Sequence, residues 1–284
     1  MSPLPIKRDL TLAYAASLVV AALMAVVSVA GLVLGSVGRL YGADPELALG
    51  VTEAEAGLLL PGLLGQDIFN LVMGVPLLLG SMWLARRGSL VGLLLWPGTL
   101  FYALYWYILY LVGAQFSVLF VLYIPLVTLS AFTIIGLVAS IDGEEVRRRL
   151  SGVVPARTIG AILVVLGLLT LGQDASGALL TALADDVPVD PAARHVWIVD
   201  LALQAPTVIV GGVLLWRRRP LGYVGGAGLL LQYGLSAVGF VASMALRAIL
   251  TASSLDAATS IVLLVFGIVC FVPLAFFVRG ATGD

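Results

Sequence analysis

The sequence has few of the residues that hold metals, disulfides or nucleic acids. Its 284 residues include one cysteine, Cys270, and one histidine, His195. An intramolecular disulfide, a zinc site of several cysteines or histidines and paired-histidine haem ligation are therefore excluded. The net charge of −1 gives no sign of the clustered basic face that nucleic-acid binding requires. We expect no metal, no cofactor and no nucleic-acid partner.

Charged residues are also scarce. They make up 11% of the chain and hydrophobic residues 61%, whereas soluble domains average about 25% and roughly 45–50%. Several uncharged runs exceed the ~18 residues that predict a membrane-spanning helix. The sequence therefore predicts an all-α transmembrane bundle that forms a single membrane domain, with the lipid bilayer as its surroundings.

Hydropathy predicts eight spans. The fifth is the least regular, because its apolar part ends before Gln173 and Asp174. Either the span continues through these residues, or a short span is followed by a surface helix. The first apolar run is longer than a signal-peptide core, which favours an uncleaved helix over cleavage near Ala30. The predicted spans are Leu10–Ser36, Leu63–Ala85, Leu90–Val112, Ser117–Ile141, Thr158–Thr181, His195–Trp216, Leu221–Leu246 and Ala258–Val278.

The basic residues between the spans predict the orientation, because short cytoplasmic loops carry most Lys and Arg. Both termini are then cytoplasmic, and only Arg39, Arg194 and Arg247 fall on the other side. The cytoplasmic basic residues are Lys7, Arg8, Arg86, Arg87, Arg147, Arg148, Arg149, Arg157, Arg217, Arg218, Arg219 and Arg279.

The segments between spans carry local signals. Residues 52–55 (TEAE) fit a capping box, which predicts a short surface helix that ends at a turn at Pro61-Gly62. Asp190-Pro191 is typical of an N-cap followed by proline at the first helical position. The connector of residues 142–157 contains Asp142 to Arg149, which we interpret as a solvated turn.

The two halves of the chain, 1–141 and 158–284, have similar patterns. Aligning Asp67 with Asp200 also superposes Trp83 on Trp216 and Arg86 on Arg219. Each half has a long first span, an acidic outer loop and a second span with an acid near its outer end. We therefore predict a four-plus-four internal repeat with both halves in the same orientation.

Polar residues inside these spans are the candidate site. Gln66, Asp67 and Asn70 share one face of the second helix, and Asp200 and Gln204 form an i, i+4 pair on the sixth. The spacing to the inner arginines places both acids roughly 25–29 Å from that end, near the outer boundary. Depth matching brings the third helix alongside, so we predict an outward-facing pocket. Its candidate ligand-binding residues are Gln66, Asp67, Asn70, Tyr102, Tyr105, Trp106, Tyr110, Asp200 and Gln204, with Asp174 as a secondary candidate.

Three functions remain open for these residues. The first is binding or transport of a small solute or cation. The second is a lipid-modifying enzyme that uses paired aspartates as acid and base, which requires two of the carboxyls to converge. In the third, the acids are structural and the protein is a non-catalytic sensor or accessory subunit. The motifs Gly31-x-x-x-Gly35 and Gly222-x-x-x-Gly226 permit close helix contact, either within one bundle or between copies in a homodimer.

Three runs carry a resemblance to known proteins: GQDIFNLVMGVPLLL (65–79), RRGS (86–89) and VDLALQAPTVIVGGVLLWRRRPLGY (199–223). They resemble a family of uncharacterised bacterial multi-pass membrane proteins over the second to seventh spans. The resemblance implies a bacterial origin, a location in the cell membrane and a shared fold. It supplies no activity and no binding residues.

Overall fold

The computed structural model describes residues 4–36, 53–113, 119–183, 191–252 and 254–282. Within these ranges, eight helices are long and apolar enough to cross a membrane, which confirms the predicted all-α class and the number of spans. The spans, numbered one to eight in chain order, are Thr11–Val33, Pro61–Arg86, Leu90–Gly113, Phe120–Ser140, Ala156–Leu183, Ala193–Trp216, Pro220–Thr251 and Ala257–Thr282.

The fifth span is one continuous helix, Ala156–Leu183, and Asp174 lies within it. The second helix begins at Glu53 and runs through Pro61 to Phe69, so the predicted turn at Pro61-Gly62 is wrong. A proline removes one hydrogen bond from a helix, but a turn inside the membrane would leave several backbone groups unpaired. The sixth helix begins at Pro191, as predicted, whereas Thr52 and Asp190, the two predicted N-caps, lie outside the described residues.

Both described ends of the chain lie at one end of the bundle. Ile6 pairs with Ile141 in an isolated antiparallel bridge, and Lys7 Nζ lies 3.5 Å from Asp142 Oδ1. Gly280, near the C-terminus, faces Leu150 of the connector. The N-terminal segment, the connector and the last turn of the eighth span therefore meet.

The connector contains a helix, Gly143–Leu150, where we expected a turn. Asp142 caps it by accepting hydrogen bonds from the backbone N–H groups of Glu144 and Glu145. Its acidic first turn and basic last turn complement the helix dipole. Arg149 Nε donates to Glu145 Oε1 at 2.8 Å, four residues apart, which adds a favourable helical pair.

The second and sixth spans share an irregularity. Each is interrupted by a π-helical turn, at Asn70–Gly74 and Asp200–Gln204, and each resumes with a proline, Pro76 or Pro206, near the start of the next segment. By this criterion Asn70, rather than Asp67, corresponds to Asp200. The wider turn accommodates a proline that cannot donate its backbone hydrogen bond.

The third and seventh spans form the centre of the bundle. They cross at Gly98 and Gly228, where a Cβ on either glycine would overlap the backbone of the other. Gly92 and Gly222 likewise lie against the backbone of the preceding span. Gly226 of the second Gly-x-x-x-Gly motif faces Phe277 of the same bundle, so this motif is used in internal packing.

Candidate functional site

All of the predicted site residues are buried inside the bundle. None of the side chains is more than 8% exposed, including those of the acids and amides. Their printed contacts divide the polar side chains into two groups, one beside Tyr102 and one beside Tyr105 of the third span. The amide–tyrosine cluster consists of Gln66, Asn70, Tyr102 and Ser243, and the carboxyl pair consists of Asp174 and Asp200.

Three side chains of the amide–tyrosine cluster form a closed ring of hydrogen bonds. Gln66 Nε2 donates to Asn70 Oδ1 at 2.9 Å and to the Tyr102 hydroxyl at 2.7 Å. The Tyr102 hydroxyl donates in turn to Asn70 Oδ1 at 2.7 Å. Ser243 of the seventh span adds a hydrogen bond to Gln66 Oε1 at 3.3 Å. The cluster thus joins the second span to the third and seventh.

Asp67 points away from this ring, towards the first span. Its Oδ1 accepts a hydrogen bond from the Tyr110 hydroxyl at 3.1 Å, as the matched depths of the two helices predict. Its carboxyl group lies against Gly31, where a Cβ would overlap Asp67 Oδ2. Gly31 is therefore needed to make room for the carboxyl group, and sequence analysis had assigned it only to helix packing.

The carboxyl pair lies beside Tyr105 of the third span. The Asp200 carboxyl faces the Asp174 carboxyl and the Tyr105 hydroxyl. The Tyr233 hydroxyl contacts the Thr170 hydroxyl nearby. It is also close enough to both carboxyls to interact with them electrostatically. Two acids from different spans therefore converge, because the fifth helix continues through Asp174. Asp67 does not join them.

Several buried side-chain oxygen atoms of the fifth, sixth and seventh spans have no hydrogen-bond partner of ordinary geometry. They are Asp174 Oδ2, Asp200 Oδ1, Gln204 Oε1 and Gln232 Oε1. Gln204 lies one turn beyond Asp200 on the same helix, and Gln232 donates its amide to Ser236 at 3.2 Å. An unpaired buried polar atom costs about 1–3 kcal/mol. All four atoms are acceptors, so a proton or cation would satisfy them.

No basic residue neutralises these acids within the described part of the chain. The ion pairs there join Lys7 to Asp142 and connect acids and arginines of the connector helix. No group of three or more His, Cys, Asp or Glu side chains among the described residues could hold a metal ion. The region therefore offers carboxyl and amide oxygens, which suit a proton or a hard cation.

Trp106 lies near a tyrosine of each group. Its ring packs on Phe240 of the seventh span, with ring centroids 4.7 Å apart, and near Tyr102 and Tyr105. Its Nε1 atom is buried without a partner. The sequence did not single out Tyr233, Thr170, Gln232 or Ser243, although the polar residues of the seventh span interrupt an apolar run and were a usable signal.

Comparisons with known proteins give no further guide to these groups. No protein-family model matches the chain, and neither the curated proteins nor the solved structures contain a match.

Proposed function

We propose that this protein resides in a bacterial cytoplasmic membrane, binds a small cation or proton at the carboxyl pair, and carries it or a coupled solute. The observation that carries the proposal is the contact between Asp174 and Asp200 inside the bundle, with no basic partner among the described residues. Two adjacent ionised carboxyls would repel each other strongly in a medium of low dielectric constant. A shared proton or bound cation removes that repulsion.

The surroundings of the pair support this ligand class. Tyr105 faces Asp200 from the third span, and Gln204 contributes an unpaired carbonyl oxygen. Acidic residues within membrane helices are costly and mark ion or proton pathways by default. The unpaired oxygen atoms of Asp174, Asp200 and Gln204 are acceptors, which suits a cation or proton better than an anion.

The π-helical turns support movement of the ligand. Asp200 begins one turn and Gln204 ends it, so both lie where the regular hydrogen bonding of the sixth span is interrupted. Such turns occur frequently at functional sites, and interrupted helices form the ion sites of many transporters. The equivalent turn at Asn70–Gly74 would let the second span adjust in the same way.

The proposed topology has both termini in the cytoplasm and a four-plus-four repeat. The arginine distribution supports the orientation, and the meeting of both described ends with the connector agrees with it. Matching π-helical turns and the Gly98–Gly228 crossing support two halves related by an axis along the membrane normal. The resemblance of residues 65–79 and 199–223 to bacterial proteins supports the location.

Thermal stability of the purified protein tests the proposed ligand. We would titrate NaCl, KCl and choline chloride at constant ionic strength, and vary pH separately. A ligand at 100 times its Kd stabilises the folded state by about 2.7 kcal/mol. We expect wild type to respond to an alkali cation or to protons, and both Asp174→Asn and Asp200→Asn to lose the response.

Asp67→Asn is the matched control, since Asp67 is also a buried membrane acid but contacts Tyr110 instead of the pair. It should retain the wild-type response. Loss of the response in Asp67→Asn alone would contradict the assignment to the carboxyl pair. If wild type responds to none of these cations and not to pH, the proposed ligand site is wrong. The acids would then have a structural role, as in an accessory protein.

A lipid-modifying enzyme is the second candidate, because Asp174 and Asp200 meet its requirement for two converging carboxyls. One would donate a proton while the other accepts one. The test is to incubate the protein with phospholipid vesicles and analyse the lipids by mass spectrometry. New products that disappear in both Asp174→Asn and Asp200→Asn would establish this function, and unchanged lipids would exclude it for the lipids used.

A further inference from the structure

An open apolar groove lies between the two halves of the bundle, and its lining contains neither Asp174 nor Asp200. Its volume is about 410 Å³. The third and fourth spans line one side and the sixth and seventh the other. Val210 and Leu221 on its wall are more than half exposed, so the groove is accessible from the surrounding lipid. Its lining includes Pro97, Phe101, Ile134, Val210, Leu214 and Gly225.

The groove and Arg217 beyond it together cover the length of one lipid leaflet. On the sixth span its lining runs from Pro206 to Leu214, and Arg217 follows one turn later. Pro206 to Arg217 covers about 16 Å at 1.5 Å per residue. This is about half of the ~30 Å hydrocarbon core of a bilayer, so the groove accommodates an acyl chain from the interface to the midplane.

A positive charge lies at the interfacial end of this groove. Val210, Leu214 and Arg217 are four and then three residues apart, so they lie on one face of the sixth helix. Arg217 is exposed, and it forms no ion pair with an acid in the described ranges. Basic pockets between membrane helices bind the headgroups of anionic lipids.

We propose that this groove binds one acyl chain of an anionic phospholipid and that Arg217 holds the lipid phosphate. The guanidinium of arginine forms paired hydrogen bonds with phosphate oxygens. The bound lipid covers the gap between the halves that the described residues leave open. The site is independent of the carboxyl pair.

Two variants test the two parts of this site. Arg217→Gln removes the headgroup contact and leaves the groove intact. Gly225→Leu fills the groove, because a Cβ at Gly225 would meet no atom within 4 Å and the larger side chain enters open space. The matched controls are Arg86→Gln, an exposed arginine at the end of the second span, and Gly136→Leu, whose Cβ also meets nothing within 4 Å.

The measurement is lipid binding to delipidated protein by native mass spectrometry, with phosphatidylglycerol, phosphatidylcholine and soluble glycerol phosphate as probes. We expect wild type to prefer phosphatidylglycerol. Arg217→Gln should bind it about fivefold more weakly, the contribution of one arginine near a charged lipid surface, and Gly225→Leu should bind both lipids less.

Both controls should bind phosphatidylglycerol as wild type does. Equal binding of the two lipids to wild type, or unchanged lipid preference in Arg217→Gln, would overturn the headgroup contact. Unchanged binding in Gly225→Leu would overturn the groove. Binding of glycerol phosphate at the affinity of the intact lipid would show a free-phosphate site and also contradict the proposal.

Discussion

The amide–tyrosine cluster and the carboxyl pair lie beside the same helix and differ in how their polar atoms are paired. Gln66, Asn70 and Tyr102 bond to one another in a closed ring. Asp174 and Asp200 face each other, and each leaves a buried oxygen without a partner. The amide–tyrosine cluster also has an unpaired atom, Asn70 Nδ2, but this atom is a donor, whereas the unpaired atoms of the carboxyl pair are acceptors. We therefore expect the first group to join the spans, and we propose a proton or cation only at the second.

Breaking the helix crossing that supports both groups should have the largest effect. Gly98→Ala places a Cβ on the backbone of Gly228, and the third span carries both Tyr102 and Tyr105. Overpacking typically costs about 1–3 kcal/mol and occasionally more, and we expect the upper end here. The yield of folded protein by size-exclusion chromatography measures it. Gly136→Ala, in open space, should behave as wild type, and equal yields for both variants would contradict the crossing.

Removing one hydroxyl should destabilise the amide–tyrosine cluster. Tyr102→Phe keeps the aromatic side chain but removes the hydroxyl, so Gln66 and Asn70 lose their common hydrogen-bond partner. Leaving buried polar groups unsatisfied costs about 1–3 kcal/mol, so the melting temperature should fall while any cation response persists. Tyr105→Phe is the matched variant at the carboxyl pair. For this variant we expect a smaller loss of stability and a weaker cation response. The opposite pattern would reverse the assignment of the two groups.

Removing one acid of the carboxyl pair should cost little stability or even increase it. Asp200→Asn abolishes repulsion with Asp174 and keeps a side chain of similar size. We expect a change within about 1 kcal/mol without added ligand, because isosteric replacement of poorly compensated buried charge is often neutral or stabilising. Thermal unfolding in choline chloride measures this. A loss as large as that of Tyr102→Phe would show that the pair is structural.

A paired acid outside the membrane provides the weakest contrast. The hydrogen bond from Arg149 holds the pKa of Glu145 below its ordinary value of 4.5. Its stabilising effect is therefore present above the unfolded-state pKa and lost as pH falls through the lower folded-state pKa. Glu145→Gln should lower the melting temperature slightly at pH 7, and by less as the pH falls through the folded-state pKa of Glu145. Glu144→Gln, which removes only the more exposed pair with Arg147, should change it less at pH 7.

The pairing of Tyr110 with Asp67 was predictable from sequence, because equal distances from one tight turn give equal depths in adjacent helices. The separation of Asp67 from Asp200 was not predictable from the sequence. Matching depths says nothing about which side of the third span each acid occupies, and that depends on how the spans pack. The turn expected at Pro61 failed for a related reason, since local proline chemistry is outweighed by the need to pair backbone groups in a membrane.

The sequence by itself determined the eight membrane spans, the concentration of arginine on one side and the few polar residues within the apolar helices. These follow from local composition, because the bilayer acts on each segment separately. Only the tertiary structure decided that Asp174 meets Asp200, that Gly31 makes room for Asp67 and that an apolar groove opens beside Val210 and Leu214. These depend on helix rotation and crossing, which residues distant in the sequence set through close packing.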